Sequence, residues 1–337
     1  MHPRHLFPSL CIAAAVASCR PVERDINFAG LEPGRRSLDL RNDVKIVKLT
    51  NGLTVAMIAD DRTNLVSVDV RYKVGANQDP AGRAGLAHLI EHLTFETAAD
   101  SQGGTISDKL EAVALYHNAY TSHDVTHYTS TALANRVDAL LEMEARRLET
   151  PCSKLSDAVF TRERDVVLQE EAQRTTAWTP ILAAIDREVW GPQHPYPRGV
   201  GDREVSAATK AEACAFFESY YTPANAVMVV VGNITPDRLE PRIGRRFGPI
   251  ARAATPPPPP PAPATLTGTT SEHVGDIARP TALIYLAAPP WGDERVAMHE
   301  MLLRAVSAEL SELDDREPWI VDTDLSYLGD AYQRVTV

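Results

Sequence analysis

The sequence predicts an α+β fold in which one mainly antiparallel sheet is covered by helices. Its composition, 44% hydrophobic and 23% charged residues, is that of a globular chain. The Asn51-Gly52 dipeptide between two short apolar runs is a strong sequence signal for a tight β-hairpin. The strand and helix patterns that follow lack the regular alternation that would indicate a doubly wound parallel sheet.

The first part of the chain predicts a hairpin, a third strand and then mostly helices. Strands are expected from Val44 to Leu49, from Leu53 to Ile58 and from Leu65 to Val74, where β-branched residues are frequent. Gly85 ends the strand pattern, and a helix begins near Leu86. The next segments are predicted as a helix, a polar strand and two further helices, over residues 106–113, 118–131, 136–148 and 156–174.

The following residues complete one predicted domain. A segment over residues 181–190 and a loop come next, and a helix is expected over residues 208–221. Ala226 to Val231 is apolar throughout, which is typical of a strand buried on both faces. We therefore interpret residues 44–250 as a single domain.

A proline run separates this domain from the rest of the chain. Seven of the 25 prolines lie between Pro256 and Pro263, which predicts a stiff, extended linker over residues 251–272. The alternative is a recognition motif for a proline-binding partner. A strand over 282–287 and a helix over 296–313 follow. Residues 273–337 are interpreted as the beginning of a second, partial domain.

The N-terminal residues have the layout of an export signal. A weakly positive start, a short apolar run and small residues predict a signal peptide over residues 1–18. The segment ending at Cys19 resembles a bacterial lipobox, in which the cysteine carries a lipid. The alternative is an ordinary secretory signal with a chance cysteine. With lipidation, residues 19–43 would be a tether, and the exported protein would be anchored to a membrane surface on the periplasmic or outer-membrane side.

Charge and cysteine content limit the possible functions. The net charge of −11 argues against the basic surface that nucleic-acid binding requires. Cys152 and Cys214 could form a disulfide in an oxidising compartment, but two buried free thiols are at least as good an interpretation of the sequence.

The pattern His88-Leu89-Ile90-Glu91-His92 predicts a metal site. On a helix, His88 and His92 lie one turn apart on one face, so both imidazoles can reach one metal ion. Zinc would lower the pKa of a bound water, and Glu91 lies close enough to accept its proton. The alternative is a pair of histidines on a solvated helix face.

A catalytic zinc ion needs a third protein ligand. The predicted helix over 156–174 carries Glu163 and Glu170 two turns apart on one face. Glu170 could bind the metal while Glu163 orients a histidine through its second N–H. Glu171 competes with Glu170, and the spacing alone does not choose between them. A solvated helix face is the simpler alternative.

The spaced motifs resemble the family of pitrilysin, insulin-degrading enzyme and mitochondrial processing peptidase. HLIEH matches the inverted zinc motif of that family, and Gly85-Leu86-Ala87 precedes it. A third ligand is expected about 77 residues later within an E-x6-E pattern, and 77 residues separate His92 from Glu170. The resemblance therefore favours Glu170 as ligand. The segment from Asn118 to Tyr128 also resembles the strand at which family members bind substrate.

The resemblance implies a processing-peptidase-like domain that binds one Zn²⁺ per chain through His88, His92 and Glu170, with Glu163 behind the ligands. Asn118 and Ala119 would contact an extended peptide through backbone pairing at a sheet edge. Two departures stand out. Glu96 precedes Thr97 where the family usually has glycine. The complete second domain of the family, which helps to bind substrate, has no clear counterpart.

The sequence thus predicts a zinc metalloendopeptidase acting on peptides or unfolded polypeptides. A second peptidase-like subunit, or a second copy of the chain, is expected to complete it. The alternative is a non-catalytic or partner-dependent peptide-binding subunit of a two-subunit peptidase. The membrane would be contacted only through the lipid.

Overall fold

The computed structural model describes residues 44–99, 101, 103–150, 152–191, 194–196, 204–251, 271–272, 275, 283–287, 289, 293–312, 322–325 and 332–336. The predicted signal peptide, Cys19, the tether and the proline run lie outside the described residues. None of the described helices combines the length with the apolar character that a membrane span requires.

A six-stranded sheet is the centre of the fold, and its strand order is β1-β2-β6-β3-β5-β4. Its pairings are antiparallel except for the parallel pairing of β2 with β6. The strands are β1 (Lys45–Lys48), β2 (Thr54–Ala59), β3 (Leu65–Tyr72), β4 (Tyr116–Thr121), β5 (Thr126–Leu133) and β6 (Ala226–Gly232).

Helices cover one face of this sheet, and α+β with a mainly antiparallel sheet is confirmed as the fold class. The helices of this part of the chain are α1 (Leu86–Phe95), α2 (Ile106–Val113), α3 (Val137–Glu149), α4 (Asp157–Arg174), α5 (Trp178–Trp190), α6 (Lys210–Tyr220) and α7 (Pro236–Phe247). Helices α1, α3 and α7 pack directly on the strands. The inward side chains of the strands alternate with outward ones, as the two-residue period of a strand requires. Val55, Val68, Val70 and Val230 are among the fully buried side chains of this core.

Further along the chain, a three-stranded antiparallel sheet of order β7-β9-β8 and one helix are described. They are β7 (Leu283–Ala287), α8 (Arg295–Glu312), β8 (Asp322–Leu325) and β9 (Tyr332–Thr336). The predicted strand over 282–287 and helix over 296–313 lie at β7 and α8.

Two sequence predictions about the sheet are wrong. The polar strand predicted over residues 118–131 is a hairpin of β4 and β5, because the chain turns at Ser122–Val125, where Ser122 and Val125 bond to each other. Strand β6 is not buried equally on both faces. Its residues alternate between buried and half-buried along the strand.

The hairpin turn stays close to the loop before α1. Ala76 and Asn77 donate backbone N–H bonds to the carbonyl oxygens of Ser122 and His123 at 3.0 and 2.8 Å. A β-carbon at Gly75 would lie 2.2 Å from the Ser122 carbonyl oxygen, so a side chain at this position would push the two segments apart. This close approach joins the end of β4 to the loop that leads into α1.

A disulfide joins Cys152 and Cys214, whose Cα atoms are 5.1 Å apart. It connects the turn between α3 and α4 to helix α6, across a sequence separation of 62 residues. Of the two interpretations that the sequence left open, the structure contains the paired form.

We expect the Cys152→Ser, Cys214→Ser double variant to lose about 2–4 kcal/mol of unfolding free energy, because the cross-link restricts the unfolded chain. Urea unfolding with and without a reductant measures this. The wild type should weaken in reductant, whereas the double variant should not respond. Equal stability of both proteins in the oxidised state would contradict the prediction.

Candidate metal and peptide site

Helix α1 carries three of the predicted site residues and begins at a carboxylate cap. The Asp79 side chain accepts backbone N–H bonds from Gly85 at 2.7 Å and from Ala87 at 2.8 Å. Such groups are otherwise unsatisfied at the start of a helix. Gly85 itself has φ +91°, in the left-handed region that favours glycine. Leu86, Leu89, Ile90 and Leu93 of α1 are buried in the core, which leaves His88 and His92 facing the cavity.

The pKa of Asp79 predicts a pH-dependent stability. Burial raises this pKa to about 7, although the N–H donors of Ala87, Gly85 and Leu86 act to lower it. An aspartate in an unfolded chain has a pKa of about 3.9. Between these values the folded state holds a proton that the unfolded state lacks, so this contribution to stability is lost as the pH rises from about 4 to about 7.

We therefore expect the difference in unfolding free energy between wild type and Asp79→Asn to change with pH. Wild type should lose stability relative to the non-titrating variant by at most about 1.4 kcal/mol per pH unit over this interval. Denaturant unfolding of both proteins across the interval measures the change. A difference that is constant, or that grows in favour of wild type, would rule it out.

His88, His92 and Glu170 converge on one point. The Nε2 atoms of His88 and His92 lie 3.5 and 3.6 Å from oxygens of Glu170. One donor atom from each residue can be chosen so that all three lie within 4.8 Å of one another. Two imidazoles and one carboxylate are a donor set that suits zinc with a position left for water. The three residues therefore fit a zinc ion.

The structure separates the two candidates for third ligand. Glu170 reaches the histidines from α4. The neighbouring Glu171 lies against Gly85 instead, with its Oε1 atom 2.8 Å from where a β-carbon of Gly85 would be. Neighbouring helical residues point about 100° apart, so Glu170 and Glu171 reach different parts of α1, and Glu170 is the one that lies beside the two histidines.

Glu163 lies behind His92, as the spacing suggested. Its Oε2 atom is 3.3 Å from Nδ1 of His92, and its side chain is largely buried. The hydrogen bond to His92 lowers the pKa of the Glu163 carboxyl. A carboxylate at Nδ1 favours the tautomer in which Nε2 is the lone-pair donor.

Electrostatics favour a neutral His88 and a basic Glu91. Burial lowers the pKa of His88 to about 4, with added contributions from His92 and Arg174. A neutral imidazole is the form that binds metal. Glu91 is 7% exposed, and burial raises its pKa although the Thr121 hydroxyl donates a 2.6 Å bond to its Oε2 atom.

Strand β4 forms one wall of the same cavity and lies at one end of the six-stranded sheet. The cavity has a volume of about 390 Å³ and is lined by His88, Glu91, His92 and Glu170 together with Asn118 and Ala119. The predicted metal, acid–base and peptide residues are thus brought together in one open space.

Several lining residues were not singled out from the sequence. Thr121 follows Ala119 by two residues and so shares its side of β4, which strand alternation could have indicated. Arg174 follows Glu170 by one helical turn and donates a 2.9 Å bond to its Oε2 atom. Phe95, Ser107 and His117 also line the cavity.

Comparison with known proteins identifies the family. Residues 54–187 match the model described as insulinase (Peptidase family M16), and residues 207–326 match the Peptidase M16 inactive domain. Together the two matches cover most of the chain, and the architecture fits them. The chain therefore belongs to the insulinase family of peptidases, M16.

Individual relatives agree with this assignment. The zinc protease PqqE of Helicobacter pylori is 31% identical over 199 residues, which are 57% of this chain and 44% of that protein. The chain thus spans less than half the length of this relative. A protease structure from H. pylori has a TM-score of 0.71 at 22% identity, covering 88% of this chain and 74% of that one.

The first half of the periplasmic protease PqqL from Escherichia coli has the same fold. Its TM-score is 0.67 at 18% identity, and the match covers 87% of this chain and 67% of that half. In the structure of the whole PqqL protease, the match covers 87% of this chain and 35% of the PqqL chain.

Proposed function

We propose that this chain is a zinc-dependent metalloendopeptidase that cleaves peptides or unfolded polypeptides. One observation carries the proposal: a three-donor metal cluster, a buried glutamate and the edge strand of the sheet meet in one open cavity. Homologues described as zinc proteases support the reaction class.

His88, His92 and Glu170 would hold one zinc ion, and Glu163 would orient His92. Bound zinc would supply Lewis-acid chemistry, lowering the pKa of a water molecule and polarising the scissile carbonyl. Glu91 would accept the proton of the attacking water and later deliver it to the leaving amine. Its burial supports this role, because a raised pKa makes the carboxylate a stronger base. The Thr121 hydroxyl would hold one of its oxygens while the other carries the proton.

The substrate would lie along β4 as an added strand. An edge strand offers backbone N–H and C=O groups to an extended peptide, and such pairing depends little on the peptide's side chains. Asn118 and Ala119 line the cavity beside Glu91, so the peptide bond nearest to them would face the metal site. Extended segments of many sequences would qualify as substrates.

The ligand assignment is tested by zinc affinity. Loss of a direct ligand in His88→Ala or Glu170→Ala should weaken zinc binding by more than the roughly 10–100-fold typical of an outer partner. Equilibrium competition with a chromophoric chelator measures this without any need for activity. Glu171→Ala is the matched control and should bind zinc like wild type. If Glu171→Ala loses zinc and Glu170→Ala keeps it, the assignment is wrong.

A second candidate function is a peptide-binding subunit that depends on a partner. The match to PqqL favours this candidate, because the chain resembles one half of that protease. A second peptidase-like subunit or a second copy of this chain would enclose the substrate. Hydrolysis of a quenched peptide library by the zinc-loaded chain, at a concentration where sedimentation shows only monomer, would exclude this candidate, whereas binding without turnover by the monomer would support it.

Export and lipid attachment at Cys19 complete the proposal. A disulfide between Cys152 and Cys214 is typical of an oxidising compartment. PqqL, which has the same fold, is described as periplasmic. The lipid on Cys19 would then hold the protein on a membrane surface, with residues 19–43 as the tether.

A further inference from the structure

Helix α1 ends beside an ion pair that the catalytic proposal does not use. Glu96 follows Phe95, the last residue of α1. At this position the family that the sequence resembles usually has glycine. Its carboxylate pairs with Arg162 of α4. The Glu96 side chain is 23% exposed and that of Arg162 is 55% exposed.

Arg162 also contacts the carboxylate behind the metal site. Its Nε atom donates a 2.7 Å hydrogen bond to Oε1 of Glu163, and its Nη2 atom donates a hydrogen bond to Oε2 of Glu96. The planar guanidinium offers several N–H groups in a fixed arrangement and can therefore bridge two carboxylates. The other oxygen of Glu163, Oε2, faces Nδ1 of His92. A continuous series of contacts thus runs from Glu96 through α4 and back to His92.

We propose that the Glu96–Arg162 pair is a positioning device for His92 and strengthens zinc binding by this chain. The inference rests on the zinc site proposed above. Arg162 fixes the orientation of Glu163. Its positive charge also weakens the interaction of the Glu163 carboxylate with His92, because the guanidinium attracts the same negative charge. Glu96 holds the long Arg162 side chain in place and offsets its charge, so that Glu163 keeps its orientation and its negative charge toward the imidazole.

Two simpler explanations make different predictions. If the pair were an ordinary surface salt bridge, its loss would change little, because exposed pairs contribute weakly to stability. If Glu96 acted only as a negative charge near a cation, its effect on zinc would not require Arg162. Positioning through Arg162 predicts that the effect of Glu96 disappears when Arg162 is absent.

The experiment is a double-mutant cycle on the metal-free full chain. Zinc dissociation constants are measured by competition with a chromophoric chelator for wild type, Glu96→Gln, Arg162→Gln and the double variant. We expect Glu96→Gln to weaken zinc binding about three- to tenfold, which is below the range for a residue that contacts a metal ligand directly. In the Arg162→Gln background, the same substitution should weaken zinc binding by less than about twofold. Asp165→Asn removes a charge from an exposed position of α4 and should leave the affinity unchanged.

Each other result overturns the inference. An unchanged affinity of Glu96→Gln excludes any role in metal binding, and an equal loss in both backgrounds shows a through-space charge effect. A large fall in the Tm of metal-free Glu96→Gln would show that the pair serves stability instead. His88→Ala separates the two proposals: if it binds zinc like wild type, the site itself is misassigned. If it loses zinc while Glu96→Gln is unaffected, only the positioning role fails.

Discussion

Replacing Glu91 with glutamine is expected to lower kcat for peptide hydrolysis about 10²–10⁴-fold, the usual contribution of a general base. Glutamine has nearly the same shape and can still accept the bond from the Thr121 hydroxyl, but it cannot take a proton. The metal donors are other side chains, so zinc should remain bound. Initial rates on a quenched fluorescent peptide, with the zinc content measured in parallel, give the result.

A matched control separates the chemistry from the loss of charge. Glu111→Gln makes the same change on the exposed side of α2 and should leave hydrolysis unchanged. If Glu91→Gln retains zinc and cleaves at the wild-type rate, Glu91 is not the base and the proposed mechanism is wrong. If it loses zinc together with activity, Glu91 has a role in binding the metal.

The second large effect is expected from a buried arginine on α3. Arg147 is 1% exposed and donates hydrogen bonds to Thr94 at 3.0 Å and to Glu144 at 3.3 Å. Its guanidinium also lies 3.9 Å from the ring centroid of Tyr128, in cation–π contact. Thr94 in turn donates to the backbone oxygen of Glu91, so this network lies directly beneath the site.

We expect Arg147→Met to lower the unfolding free energy by about 3–5 kcal/mol, because the Glu144 carboxylate would stay buried without its cation. Urea unfolding measures the loss. Arg146→Met is the neighbouring control: this side chain is 40% exposed, and its loss should cost at most about 1 kcal/mol. Removing both charges, in Arg147→Met with Glu144→Leu, should restore part of the stability. A loss from Arg147→Met no larger than that from Arg146→Met would contradict the prediction.

Local patterns predicted many of the elements well. Helix α2 and the β1–β2 hairpin lie where amphipathic spacing and Asn51-Gly52 placed them. The turn between β4 and β5 was missed because its residues include neither glycine nor proline, and contacts with Asn77 hold it instead. Helix α7 was missed because Pro241 and Gly244 interrupt its pattern, although Leu239, Ile243 and Phe247 bury one face of it.

The candidate site could be predicted only in part. The helical period places His88, Glu91 and His92 together because they are close in sequence. The proposed third donor comes from another helix, and spacing alone left Glu170 and Glu171 open until the resemblance favoured the first. Thr121, Arg174 and Arg162 depend on how β4 and α4 pack around α1, which is a tertiary property. The disulfide depends in the same way on the packing of α6 against the turn before α4.

The central position of β6 has a consequence for how the protein acquires its structure. Strands β2 and β3 are neighbours in sequence, but β6 lies between them and pairs with both. The ribosome completes all the proposed site residues well before residues 226–232 emerge. Until then β2 and β3 lack their shared partner, and pairing across such long sequence separations is slow. We therefore expect the domain to remain open during synthesis and to fold only after residue 232 is available, with metal binding following that late step.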